Sequence, residues 1–302
     1  MEANTFACSV YIDVPPLEAA NFLRNGDNLG AFALDTAMAE RVDDVTWRGS
    51  VGPYQDGFYC QSRYQDVVDV QVVEWFCGSE HGRWNHFYPM VLFPAGYFGS
   101  QQAGVYCHWI SFVDPARSAP ILELLPSVRR GERHSLKAAL ERRAGHHEPV
   151  ESTIELRSHT LYVDAPAASV VSYLAARSNL TEWSFPSHHD DQESRDEYGR
   201  PISVRIGVRD LQDYHLVEHE TRIVETGQTV RAPFLVIPTS FAFGQPDATG
   251  VVLHRVTAAE IGSGRRTGDL YDAELVRTKR FLEAGVGNGA SFAHGPSYRP
   301  VN

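Results

Sequence analysis

The chain has 302 residues, 43% hydrophobic and 22% charged, with a formal net charge of −11. That is the composition of a globular protein, long enough for two ordinary domains, and its charge excludes nucleic acid or an anionic membrane as main partner, since either needs a basic surface. No apolar run reaches the roughly 18 residues of a membrane span, and the N-terminus MEANTFACSVYIDVPP lacks a secretory pattern, so the cytoplasm is the default.

Ser9 to Pro15, SVYIDVP, reads as a strand whose Asp-x-Pro opens a helix over PPLEAANFLRN, because proline suits a first helical turn. RYQDVVDVQVVE (Arg63–Glu74) reads as strands, GSEHG (Gly78–Gly82) as a hairpin turn. HFYPMVLFP continues the sheet, and Gly104 to Phe112, GVYCHWISF, is a late strand before the helical HSLKAALERRAG. HHEPVES (His146–Ser152) interrupts both periodicities and reads as a linker.

The same order then recurs. Thr160 to Pro166, TLYVDAP, precedes the helical PAASVVSYLAARSN, at a constant offset of 151 residues (Tyr11 to Tyr162, Asn28 to Asn179). GVRDLQDYHLVE repeats the central strands at an offset of 144 (Glu74 to Glu218). Gly250 to Thr257, GVVLHRVT, repeats the late strand, and DAELVRTKRFLEAG closes the half as a helix. So many ordered matches indicate a tandem duplication, with domains over 1–148 and 153–286. The Gly-, Pro- and Ser-rich tail 287–302 falls outside the fold. Strands joined by short turns are antiparallel, and a long helix against one face is the economical way to bury it. The fold class is therefore α+β.

Alternation along a strand sorts the candidate chemistry. His254 shares a face with Val252 and Val256, and His108 with Tyr106, Ile110 and Phe112, so both histidines are expected to point inward. A histidine near neutral pKa moves protons both ways, as enolisation, aldol closure and dehydration require. The competing account is a pair of satisfied core histidines, and duplication would copy those as faithfully. Trp84, His86 and Tyr88 share one parity with Met90 and Leu92. With Trp75 and Trp109 they could stack a flat ligand, or simply fill the core. The matching second-half strand is apolar, with Val230 opposite His86. In the second half Val204, Ile206 and Val208 form the apolar face, which turns Arg205 and Arg209 outward and puts Arg63 of the first half on the same outward parity. Parity also turns Arg255 and Thr257 outward.

His188-His189-Asp190-Asp191 is adjacent rather than spaced for one ion and reads as a solvated loop, so no metal site is expected. Cys8, Cys60, Cys77 and Cys107 share no ligand spacing and read as buried free thiols. The chain has no GxGxxG opening a helix, Walker loop, GxSxG or HExxH, leaving nucleotide, serine-hydrolase and zincin chemistry unsupported.

The element order resembles the helix-grip fold of the START and plant-allergen-like (SRPBCC) superfamily, in which a curved antiparallel sheet wraps a long C-terminal helix. The tandem arrangement resembles the di-domain aromatase/cyclases of bacterial aromatic polyketide synthesis. Asn179-Leu180-Thr181-Glu182-Trp183-Ser184-Phe185-Pro186-Ser187-His188 is similar to that family's segment after the first helix. Gln61-Ser62-Arg63-Tyr64-Gln65-Asp66 resembles the strand carrying its cavity arginine, and Cys107-His108-Trp109-Ile110-Ser111-Phe112 its late aromatic strand. The first half lacks the Trp and Phe-Pro, and the second half has Gly207 at the arginine position.

The resemblance implies a cofactor-independent polyketide cyclase or aromatase. Its partner would be a hydrophobic small molecule, a carrier-protein-bound polyketide included, and a homodimer is admitted. His108 would shuttle the proton, with His254 as its second-half copy. Tyr106, Arg63 or His86 would hold the enolate oxygen, with Arg63 placed in the cavity by the resemblance against its parity. Trp75, Trp84, Tyr88, Trp109 and Trp183 would bind substrate. The more polar aromatic first half is favoured as the active one, although Trp183 speaks for the second. The alternative is a non-catalytic binding or carrier protein for a hydrophobic ligand.

Overall fold

The computed structural model describes residues 5–34, 36–51, 55–84, 86–113, 123–184, 188–189, 194–196, 199–261 and 266–287. Of the expected tail 287–302, Gly287 ends the last helix, and 288–302, like residues 185–187 and 190–191, lie outside the described residues. The chain divides into two compact units, the first ending at Leu156 and the second beginning at Arg157, with residues 242–244 counted in the first. Among the described residues no helix is long and apolar enough to cross a membrane.

In the first unit seven described strands form one antiparallel sheet. They are β1 (Thr5–Ile12), β2 (Thr36–Arg41), β3 (Thr46–Val51), β4 (Gln55–Val67), β5 (Val70–Gly78), β6 (His86–Pro94) and β7 (Val105–Val113), in the order β1-β7-β6-β5-β4-β3-β2. Pro16 at the first turn opens α1 (Pro16–Leu23) directly after β1. A 3-10 segment, Gly26–Ala31, follows and lies against Trp47, so tightly that a Cβ on Gly26 would meet the indole at 2.2 Å. The unit closes with α2 (Leu125–Arg143), whose Leu136 and Leu140 are fully buried in the core with Ile12, Leu23, Val73, Leu92 and Val105.

The second unit repeats the plan. β8 (Ile154–Val163) leads into α3 (Ala167–Ala175). The strands β9 (His188–His189), β10 (Ser194–Arg195), β11 (Pro201–Leu211), β12 (Tyr214–Ile223), β13 (Thr229–Arg231), β14 (Phe234–Pro238) and β15 (Val251–Glu260) follow. The sheet order is β8-β15-β14-β12-β11-β10-β9, with β13 paired to β12. α4 (Arg266–Gly287) ends it, with Leu275 and Leu282 in the core beside Val163, Leu174, Val236 and Leu253.

Hydrogen bonds reproduce the duplication more sharply than the residues do. Lys137 Nζ donates to Tyr11 O at 2.9 Å and to Glu141 Oε1 at 2.7 Å, and Asp13 N–H donates to the same carboxylate oxygen at 3.0 Å. Lys279 Nζ repeats this with Tyr162 O at 2.5 Å and Glu283 at 2.9 Å, and Asp164 N–H donates to Glu283 at 3.1 Å. A lysine–glutamate pair one turn apart thus fastens each closing helix to the end of each first strand.

Candidate functional site

A cavity opens in the first unit beneath α2. Its volume is about 60 Å³, room for a few waters. Its walls follow from strand alternation: β4 gives Phe58 and Cys60, β5 Trp75 and Cys77, β6 His86, Tyr88 and Met90, and β7 Trp109 and Val113. Leu29, Phe32 and Ala33 come from the segment after α1, Thr36 from β2, and Leu125 and Arg129 from α2.

Arg129 is the cation of this cavity. Its guanidinium carbon lies 4.8 Å from the Tyr88 ring centroid and 4.4 Å from that of Trp109, both within cation–π range. Nε donates to Ser111 Oγ at 2.9 Å, and Nη1 pairs with Glu132 one turn along the helix. Glu132 is fully buried and also accepts from Leu34 N–H at 3.2 Å. A buried charge is tolerable only when paired and hydrogen-bonded in this way. The His86 ring stacks on Tyr88, 6.0 Å apart and 6° from parallel. Trp75 donates Nε1–H to Leu23 O at 3.1 Å, which fixes its ring in the wall.

The expected residues divide. His86, Trp75, Tyr88 and Trp109 come together in the cavity, and Trp84 does not line it. Its ring instead meets His81 edge-on at 6.5 Å.

His108 and Tyr106 do not face this cavity, contrary to expectation. On β7 the cavity face is Trp109 and Val113, so His108 and Tyr106 point to the opposite side. His108 is fully buried, with Nδ1 2.7 Å from Ser9 Oγ on β1, and burial lowers its pKa to about 3. Tyr106 Oη lies 2.6 Å from Ser152 Oγ in the linker. The inference failed because all nine residues of β7 are buried. When both faces are covered, apolar company does not tell which one faces the helix.

Arg63 is corrected in the same way. It points away from the cavity, pairs with the buried Glu74, and sits over the Phe76 ring at 5.0 Å. Strand parity located it correctly and the resemblance did not. Arg209 pairs with Glu218 at 3.1 Å, so the equivalent glutamate of the second unit also finds an arginine on the neighbouring strand.

His254 is the counterpart of His108 in its contacts too: it is fully buried, with Nδ1 2.7 Å from Thr160 Oγ1. Arg255, expected outside, is only 5% exposed and pairs with Glu274 on α4. Thr257 is likewise buried. Trp183 lies in the interior, 5.1 Å from the His219 ring and 5.6 Å from Phe234, with Arg255 above both Trp183 and Phe234.

The repeat offsets align these interiors position by position. Phe32, Trp75, Met90 and Trp109 of the first unit correspond to Trp183, His219, Phe234 and Arg255 of the second. His219 escaped notice in the sequence, yet the offset of 144 puts it where Trp75 stands. Its Nε2–H donates to Leu174 O at 3.1 Å, the equivalent of the carbonyl that Trp75 uses. Burial, then the nearby Arg255 charge, lowers its pKa to about 3. Among the described residues no cluster of three or more His, Cys, Asp or Glu could hold a metal ion.

A family model described as Domain of unknown function (DUF8713) matches residues 1–149 and 156–291. Among the curated proteins no sequence matches. Among solved structures, the chain is similar to the di-domain ARO/CYC BexL from the BE-7585A biosynthetic pathway, at 12% identity over 98% of this chain and 99% of that one, with a TM-score of 0.36. It is similar to the di-domain ARO/CYC StfQ from the steffimycin biosynthetic pathway, at 12% identity over 93% and 99%, with a TM-score of 0.29. The Aha1 dimer from Colwellia psychrerythraea is similar at 10% identity, over 43% of this chain and 97% of that one, with a TM-score of 0.31.

Proposed function

The chain belongs to the family described as Domain of unknown function (DUF8713), and we propose that its first unit is an enzyme that cyclises or dehydrates a hydrophobic polyketide-derived substrate without a cofactor. The observation that carries the reading is Arg129, a buried cation held between Tyr88 and Trp109 in the wall of an otherwise apolar aromatic cavity, with His86 stacked beside Tyr88. A ketone chain offers flat apolar surface and a few carbonyl oxygens, which matches a pocket of rings with few polar anchors.

In this reading the cavity, which has room for a few waters as it stands, widens to admit the substrate, and Trp75, Tyr88 and Trp109 stack the chain and bring two of its carbons into contact, which can supply much of the rate. Arg129 holds the oxygen of the carbonyl whose neighbouring carbon loses a proton, stabilising the enolate. His86 takes that proton, the enolate carbon attacks a second carbonyl, and the imidazolium returns the proton to the new alkoxide. Loss of water from the resulting alcohol completes a dehydration. Glu132 and Ser111 position the guanidinium and do not touch substrate. His108 and Arg63 have no part in this scheme.

The test is incubation of the purified chain with a linear poly-β-ketone thioester, followed by mass spectrometry. Cyclised or dehydrated product, lost in Arg129→Met and reduced in His86→Phe, supports the proposal. Tight binding of a chain that is recovered unchanged, with the uncatalysed rate in all three proteins, replaces it with a carrier function.

A further inference from the structure

The cavity wall holds two thiols for which the cyclase reading has no use. Cys60 on β4 and Cys77 on β5 stand directly opposite one another in the antiparallel register. Opposed residues of such a pair point to the same face, with Cα atoms about 4.5–5.5 Å apart, inside the roughly 4.4–6.8 Å that a disulfide spans. The two Sγ atoms are already 2.6 Å apart. Cys60 is 2% and Cys77 4% exposed, and both line the cavity rather than the outer surface. On the next strand His86 stands opposite Cys77 and lines the same wall.

The other two cysteines lack this placement. Cys107 is buried outside the cavity lining, and burial pushes its thiol well up; burial likewise pushes Cys8 up to about 11. They serve as an internal comparison.

We propose that Cys60 and Cys77 are a redox modification site: a cross-strand dithiol that closes to a disulfide by exchange with a small organic disulfide entering the cavity. One thiol gives its proton to water or to His86, and its thiolate attacks one sulfur of the small disulfide. That S–S bond breaks, and half of the reagent leaves as a thiol after taking up a proton. The second cysteine, deprotonated in turn, attacks the mixed disulfide, forms the Cys60–Cys77 bond and releases the other half as a second thiol. The protein loses two electrons and two protons, and the reagent gains both. The bond ties β4 to β5 within the wall that carries Trp75 and His86. This modification is independent of the cyclase reading.

The experiment uses the full native chain with bis(2-hydroxyethyl) disulfide, then alkylation under denaturing conditions and peptide mapping. The expected result is that alkylatable thiols fall from four to two, the intact mass drops by about 2 Da with no adduct, and one peptide links Cys60 to Cys77. Dithiothreitol should restore all four. Cys60→Ser should stop at a mixed disulfide on Cys77, and Cys77→Ser at one on Cys60. Four thiols remaining in the native chain, while a urea-unfolded sample reacts, would overturn the site by showing both sulfurs sealed. A link between Cys8 and Cys107, or a wild-type chain that halts at the mixed disulfide, overturns it as well. Mapping of the wild type needs no variant, so a variant that fails to fold does not affect the outcome.

Discussion

Ser9 Oγ lies 2.7 Å from His108 Nδ1 across the β1–β7 pair, and Thr160 and His254 repeat the contact at 2.7 Å in the second unit. A hydroxyl on the first strand thus satisfies a fully buried imidazole on the last. The second unit carries the same pair with threonine in place of serine. Such a pair joins the two strands that bring the chain's beginning to the end of its sheet.

The contact predicts a structural role for both histidines. His108→Ala should cost about 2–4 kcal/mol of stability, from the lost hydrogen bond and the space left behind. Ser9→Ala should cost about 0.5–1.5 kcal/mol by removing this hydrogen bond. Denaturant melts measure both. Ligand binding in the cavity should persist in each folded variant; its selective loss would return His108 to the site.

Acid should expose the buried histidines. His108 and His219 have native pKa values of about 3, against 6.5 as the ordinary value. Below about pH 6.5 the unfolded chain binds protons that the native chain refuses. The contribution to stability is therefore full above pH 6.5 and drains away as pH falls towards 3. Each group should add a slope of about 1.4 kcal/mol per pH unit inside that window. Thermal melts between pH 7 and 4.5 should show a shallower acid slope in His108→Gln and in His219→Gln than in the parent. Equal slopes would mean that these rings are protonated in the native chain.

The buried ion pair of the cavity should respond asymmetrically. Arg129→Met strands the fully buried Glu132 carboxylate and should cost about 3–5 kcal/mol. Arg129→Met with Glu132→Gln removes the stranded charge while keeping an acceptor for Leu34 N–H, and should recover a good part of that loss. Urea midpoints of the two proteins test this. No recovery in the double variant would mean that the guanidinium acts through its packing on Tyr88 and Trp109 instead.

The glycines that open β7 and β15 are sites of close approach. A Cβ on Gly104 would fall 2.3 Å from Ile12 O, and one on Gly250 2.6 Å from Val163 O. Gly250 also has φ of +83°, so alanine there meets both a clash and backbone strain. Gly104→Ala and Gly250→Ala should each destabilise by about 2 kcal/mol or more, read as a drop in the thermal midpoint. Unchanged midpoints would mean that the strand ends shift freely.

Legibility followed burial. β11, exposed or partly exposed at most positions, shows its inner face in the alternation of Val204, Ile206 and Val208, and all three do meet the core. β7 is buried throughout, and there alternation carried no direction, so His108 was read onto the wrong side. His86, Tyr88 and Trp75 were legible as cavity residues because their strands set rings and polar groups at a common parity. Arg129 was not, because one arginine in a helix carrying several does not announce that it turns inward.

The sequence by itself determined the repeat of elements, the α+β class, the antiparallel pairing of neighbouring strands and the aromatic character of the first-half interior. These rest on periodicity, turn residues and repeat offsets, which are local properties of the chain. Only the tertiary structure decided which face of each doubly buried strand meets the closing helix. It likewise brought Arg129 onto Trp109 and Tyr88 and set Cys60 against Cys77. Those outcomes depend on how a helix seats on a sheet and on strand register, contacts between residues distant in the chain that no spacing along it encodes.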